Sequence, residues 1–251
     1  MGPIDLNSDL GESVDGVPTA DDEAMFAVIS SANIACGGHA GDAASMADAA
    51  ARSRRVGVAI GAHPSYPDRA GFGRRPMRLD AGDLRAEVAR QLAALRSAGA
   101  DIRYVKPHGA LYHAITVDAG QADAVAAAVA DLSGELGRAL PLLGLPGGAE
   151  RAATDAGLPF VAEAFLDRGY RPDGTLVARG EPGDLLADPE RVAERALRLV
   201  AEGSVDAVSG GRVGIAAASL CLHGDTPDAV AMARAVRRAL DAAGIPVRAP
   251  W

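Results

Sequence analysis

Seven short apolar runs, most of them followed by a helical pattern, limit the folds open to this chain. The expected strands are residues 4–7, 32–36, 56–62, 102–106, 140–145, 160–165 and 215–222. Spread over 251 residues, they give one strand about every 36 residues, close to a βα unit of roughly 30 or more. Within 83–98, Leu84, Val88, Leu92 and Leu95 recur at helical offsets on one face. Segments 188–202 and 226–243 open with Asp-Pro and Thr-Pro, and proline suits the first helical position. Segment 43–55 follows Asp42, a good N-cap. Strand–helix alternation of this kind implies a parallel sheet. With no linker or composition break, residues 1–251 are expected to form a single domain.

An open doubly wound sheet and a barrel both fit that order. A dinucleotide-binding sheet would carry GxGxxG after its first strand, and a phosphate loop would read GxxxxGK[ST]; neither is present. Two connections are long, 63–80 and 166–187, and loops of such length in a compact domain are usually functional. Pro172-Asp173-Gly174 in the second signals a tight turn and an expected small hairpin.

Composition removes several function classes. A net charge of −8 and 4% aromatic residues argue against a nucleic-acid surface. The first residues lack the basic and apolar regions of a secretory signal, and no apolar run approaches a membrane span, so a soluble cytoplasmic protein is expected. Cys36 and Cys221 form no CxxC pair, so no zinc knuckle or disulfide framework is expected.

The polar residues at the strand ends carry the chemistry. Side chains alternate along a strand, so Asp5, Asn7 and Asp9 share one face. Three polar groups on one face are costly in a core unless paired or wet. Asn33 and His39 lie in the second unit, and His63 ends the third strand. Tyr104, Lys106 and His108 share a face, as do Glu163, Phe165 and Asp167, and as do Cys221, His223 and Asp225. Four of the five histidines therefore fall at or just past a strand end, where parallel α/β barrels build their active sites.

Asp with two or three His is a ligand set for a divalent metal; the same groups can also work without metal as acids and bases. Asp9, His63 and His108 are the preferred metal set, with His39 and His223 as further candidates. Asp5 or Glu12 is the candidate base. Lys106, the only lysine in the chain, is placed to hold an anion or an oxyanion. Arg74 and Arg75 are candidates for a carboxylate or phosphate, and Tyr66, Tyr112 and Tyr170 for the pocket wall. Asn7, Asn33, Glu163, His39 and His223 complete the expected substrate contacts. Cys221 with His223 is a conceivable nucleophilic pair, although inert buried cysteine is commoner.

Six ordered segments resemble the LamB/YcsF family: DLNSDLGE at 5–12, SANIACGGHAGD at 31–42, GAHPSYPDRAGFGRR at 61–75, KPHGALYH at 106–113, EAFLDRGY at 163–170 and CLHGD at 221–225. Gly38 departs from the pattern, which has a bulkier residue before the His. The resemblance implies an irregular seven-stranded parallel (β/α) barrel, similar to the glycoside hydrolase/deacetylase superfamily. It implies the A subunit of an ATP-dependent 5-oxoprolinase, a cyclic-amide hydrolase that opens 5-oxoproline to L-glutamate together with subunits B and C. The superfamily's Asp–His–His metal site carries over to Asp9, His63 and His108, with Mg, Mn or Zn as the candidate ion. The alternatives are a stand-alone metal-dependent deacetylase or amidohydrolase on a sugar or small amide, and a non-catalytic carrier of a carboxylated ligand. A homodimer is the default expectation for a soluble protein.

Overall fold

The computed structural model describes residues 2–251. The chain begins with β1 (Asp5–Leu10), a short hairpin of β2 (Ser13–Val14) and β3 (Val17–Pro18), and α1 (Asp22–Phe26). It continues through β4 (Ser31–Ala35), α2 (Ala43–Val56), β5 (Ala59–His63), α3 (Ala81–Ser97) and β6 (Ile102–Val105). Next come α4 (Gly109–Val117), α5 (Ala119–Leu136), β7 (Leu142–Gly144), α6 (Gly148–Asp155) and β8 (Phe160–Phe165). The last elements are α7 (Pro189–Glu202), the hairpin β9 (Ser204–Asp206) and β10 (Arg212–Gly214), β11 (Ser219–Cys221) and α8 (Ala229–Ala242).

Seven strands close a parallel barrel in the order β1-β11-β8-β7-β6-β5-β4, and β4 pairs back onto β1. Each of the seven expected strands is present. The barrel is irregular at two places. The β5–β6 register shifts between Ile60 and Gly61, and β6 meets β7 through the single pair Val105–Leu142. The shift lies beside the Tyr104 ring, which fills the interior next to Gly61; a Cβ on Gly61 would overlap that ring. Trp251 stacks on Tyr104 with centroids 4.1 Å apart.

The apolar core lies between the outer faces of the strands and the helices. Leu6, Leu10, Ile34 and Ile60 are buried there, and Leu84, Val88, Leu92 and Leu95 of α3 supply the expected stripe. Caps follow their local chemistry. Asp42 and Ser45 form a reciprocal capping box on α2, and Asp188 caps α7 ahead of Pro189. The expected start of the last helix at residue 226 moves to Ala229, because the Thr226 hydroxyl is spent on Asp167 at 2.7 Å.

Other expectations shift, and the strand expected over 56–62 runs Ala59–His63 because Val56 closes α2 and Gly57 caps it. The strand expected over 215–222 contracts to Ser219–Cys221, since the Ile215 amide bonds Gly203 beyond the β9–β10 hairpin. That hairpin carried no sequence signal strong enough to find it. The turn at Pro172-Asp173-Gly174 closes as expected, with Arg171 N–H on Thr175 C=O, but its arms pair only through the bridge Tyr170–Leu176. Among the described residues no helix is long and apolar enough to cross a membrane.

Candidate active site

Alternation along β1 sends Asp5, Asn7 and Asp9 into the barrel at three depths. At the base, Asp5 accepts hydrogen bonds from the hydroxyls of Ser30, Ser31 and Ser219. Burial raises its pKa in spite of those donors. One layer up, Asn7 donates to Ser219 and to Glu163, and Asn33 donates to Asn7 and to Asp9. The Tyr104 hydroxyl donates to Asn33.

Above them Lys106, 2% exposed, is held on four sides. Its ammonium lies 3.1 Å from Asp9 Oδ1, 3.2 Å from Asn7 Oδ1, 3.2 Å from Glu163 Oε2 and 3.1 Å from Cys221 Sγ. Burial works to strip its proton, but Asp9, Cys221 and Glu163 outweigh it and hold the pKa well above the ordinary lysine value. Burial likewise opposes the Asp9 carboxylate, yet His63 and Lys106 hold it well below the usual range. A charged pair thus forms the floor of the site, and its remaining lone pairs and protons are satisfied, the condition for burying it.

His63 and His108 stand over this floor. Nδ1 of His63 lies 2.6 Å from the Lys106 carbonyl, and Nε2 of His108 lies 2.9 Å from the Phe72 carbonyl. A carbonyl only accepts, so each ring donates an N–H outward. The nitrogens left over, His63 Nε2 and His108 Nδ1, face each other at 3.0 Å. In two neutral rings both are lone pairs, so a proton or a cation must sit between them. Glu12 Oε1 is 3.6 Å from His108 Nδ1, and Asp9 Oδ2 is 3.4 Å from His63 Nε2. The donor set therefore fits a divalent cation. One grouping is Glu12, His39, His63 and His108; Asp9 groups with Cys221 and His223 and reaches the first set through His63.

His39 backs this pair, stacked on His108 at 3.7 Å and bonded to Glu12 at 3.0 Å. Burial lowers the pKa of both His39 and His108, so the stacked rings are neutral. Burial, reinforced by Asp9, pushes Glu12 up to about 8. His223 behaves oppositely. Burial opposes its charge, but Asp167 at 3.0 Å from Nδ1 raises its pKa. Its Nε2 points toward Asp9 Oδ2 at 3.8 Å, and its ring stacks on Phe165.

A cavity of about 690 Å³ opens above these groups, with Asp9, His63, Lys106, His108, Tyr112 and His223 on its floor and near wall. The LamB/YcsF family model matches residues 4–250 of the chain. The chain belongs to the LamB/YcsF family. A relative from Streptomyces avermitilis, named as the A subunit of 5-oxoprolinase, is 52% identical over 253 residues, covering 98% of this chain and 99% of its own. The crystal structure of a lactam utilization protein from Thermus thermophilus superposes with a TM-score of 0.91 at 44% identity, covering 98% of this chain and 99% of that one. A T48 deacetylase, 12% identical with a TM-score of 0.50 and 98% and 87% coverage, shares the fold alone.

Not all the expected residues of this LamB/YcsF chain reach the cavity. Asp5, Asn7, Asn33 and Glu163 lie beneath its floor, and Glu12 and His39 lie behind His63 and His108. Asp5 is corrected as a base on position: it is tied to three hydroxyls at the barrel base. Arg74 lines the wall but pairs with Asp225 at 2.6 Å, and Arg75 is solvent-facing. Tyr66 and Tyr170 are packing residues whose hydroxyls bond Gln121 and the Phe165 amide. The Cys221 sulfur lies 3.1 Å from the Lys106 ammonium, and burial lifts its pKa well above the usual thiol value against the pull of Lys106, which disfavours a nucleophilic thiolate. At Gly38 the space for a larger side chain is occupied by Gln91, whose amide clamps the backbone N–H and C=O of Ser65. Phe72, which fixes His108, and the cavity residues Arg168 and Arg179 were not singled out; Phe72 and Arg168 lie in the family-like segments 61–75 and 163–170, whereas Arg179 had only the length of its loop as a signal.

Proposed function

We propose that this LamB/YcsF chain is the A subunit of an ATP-dependent 5-oxoprolinase, acting with partner subunits B and C on 5-oxoproline. Near-equal-length relatives of about half identity bear that name, and the site suits the chemistry. The observation that carries the reading is the buried Asp9–Lys106 pair under His63, His108 and His223 at the floor of a cavity.

A lactam is a stable amide. Moving a phosphoryl group from ATP to its carbonyl oxygen makes the ring carbon electrophilic. Water then adds to that carbon, the ring C–N bond breaks, and the nitrogen takes a proton. A second water releases phosphate from the acyl phosphate, leaving L-glutamate. With no phosphate loop in the chain, the partner subunits supply the ATP site in this reading. An ATP-consuming reaction places it in the cytoplasm.

Each residue then has a task. His63 and His108 orient water at their facing nitrogens, which take its proton when no cation is bound there. His223, charged more readily because of Asp167, gives one to the ring nitrogen. Lys106 fixes Asp9 and keeps positive potential under the developing oxyanion. A divalent cation held by His63, His108 and Asp9, with Glu12 in reach, would polarise the carbonyl and acidify water.

The test is glutamate release from 5-oxoproline, ATP and Mg²⁺, with this chain alone and with B and C. Activity is expected only in the full mixture, and Asp9→Ala is expected to lower it by about 10²-fold or more. A folded wild-type mixture that yields no glutamate overturns the reading. Chelator-sensitive, ATP-independent amide hydrolysis by the chain alone would replace it with the stand-alone amidohydrolase, which the facing imidazoles also suit.

A further inference from the structure

The cavity carries a charge imbalance that the chemistry at its floor does not use. Among the described residues Asp9 is the one acid lining it, against Lys106, Arg74, Arg168 and Arg179. Two of those cations are neutralised: Lys106 by Asp9 and Glu163, and Arg74 by Asp225. The other two, both on the long segment between β8 and α7, are not. Arg168 is 4% exposed, and its guanidinium donates to two backbone carbonyls, Asp184 at 3.1 Å and Val177 at 2.6 Å. These bonds fix its direction without cancelling its charge. Arg179 is exposed on the cavity wall and has no ion-pair partner among the described residues.

The two are close enough to repel. Burial, and after it the charge of Arg179, pulls the Arg168 pKa down. Both arginines bear on His113 and Arg179 also on His223, two rings that line the same cavity. Asp167 and Asp184 favour the Arg168 charge from a distance, but neither guanidinium has a direct ion pair among the described residues, and two such groups sharing one cavity are a cost unless an anion joins them. The wall beside them is aliphatic, with Met77, Val117, Leu176 and Val177. An occupant that satisfies both features is small, with ring methylenes and one anionic group of planar oxygens.

We propose that Arg168 and Arg179 bind the carboxylate of a cyclic amide acid, so that the site selects an acid-bearing lactam over a neutral one. The fork of a guanidinium matches a carboxylate in two hydrogen bonds. Arg168 is the fixed arm. Arg179, exposed on the wall and without an ion pair among the described residues, closes on the bound acid. This inference rests on the 5-oxoprolinase reading for the identity of the lactam, but not for the preference itself.

Calorimetric titration of the chain with 5-oxoproline and with 2-pyrrolidinone, its counterpart without the acid, tests the preference directly. The acid is expected to bind more tightly. Arg179→Gln is expected to shrink the ratio of the two dissociation constants by about tenfold to 150-fold, and Arg179→Lys to restore part of it. In the full mixture with B and C, Arg179→Gln is expected to raise KM for 5-oxoproline far more than it lowers kcat. Arg179 is exposed, so its variants keep the fold; Arg168, tied to two carbonyls, is the poorer choice. An unchanged ratio, or equal binding of both lactams by wild type, overturns the proposal. A fall in kcat with KM and the binding ratio intact also overturns it and assigns the pair to the phosphoryl group. Failure of the 5-oxoprolinase reading looks different: the binding preference survives while the full mixture releases no glutamate.

Discussion

At the scale of single residues, depth inside the barrel decides role. Alternation told which side chains of β1 point inward, and Asp5, Asn7 and Asp9 do. It could not tell which reaches the cavity, because depth follows from the stagger between strands and not from the order along one. Hence the inward face of both was legible, but not that Asp9 lines the cavity while Asp5 is tied to hydroxyls at the base. Partners on loops were less legible still. Arg168 and Arg179 belong to a segment without periodicity; Arg168 falls in the family-like segment 163–170, and nothing local marks Arg179 as a cavity residue. Asp167 sits between these cases: its face was legible, and its contact with His223 was not. That pair gives a pH signature. The Asp167 pKa is lowered, chiefly by His223 against the effect of burial, so its contribution is complete above its ordinary value near pH 4 and lost as pH falls through the lowered one. The His223 pKa is raised, so its contribution is complete below about pH 6.5 and lost as pH rises through the raised value. Asp167→Asn is therefore expected to destabilise the fold by roughly 1–3 kcal/mol, most strongly between about pH 4 and 6.5. Urea midpoints of the variant and wild type across that range check it; a constant gap would show that the pair does not titrate as a unit.

At the scale of elements, the strands were legible because each is a short apolar run between turn signals, and α2, α3 and α7 because their caps or apolar stripes are explicit. The boundaries that moved did so for tertiary reasons. Thr226 abandons its helix for Asp167, and Ile215 joins the edge of a hairpin. Gly61 shows the reverse dependence, an element shaped by one missing side chain. Its lack of a Cβ admits the Tyr104 ring, which Trp251 backs at 4.1 Å. Gly61→Ala is expected to cost roughly 1–3 kcal/mol by overpacking. For a chain of this size that lowers Tm by about 2–12 °C. Differential scanning calorimetry reads the loss, and a smaller residue at Tyr104 in the double variant is expected to recover part of it.

At the scale of the whole molecule, the barrel interior is a polar column running from Asp5 through Asn7, Glu163 and Lys106 to Asp9, and the oily core is displaced outward to the helices. Strands from both halves of the chain contribute to that column, so residues 1–251 are expected to unfold as one unit. Trp251, the only tryptophan, stands on Tyr104 and reports on the barrel by fluorescence. Its transition is expected to coincide with the loss of helical circular dichroism; separated midpoints would divide the chain into two units. The closure between β1 and β11 also bears on how the protein is made. The amide of Asn7 reaches the Ser219 hydroxyl across 212 positions of chain. A ribosome adding about 5–20 residues per second needs about 10–40 s to bridge that interval. Until then six strands stand as an open sheet with two unpaired edges, and the acids and amides of β1 remain hydrated. The nascent chain thus has no active site and an exposed template for edge pairing, which makes its last strand the point at which a chaperone's hold can end.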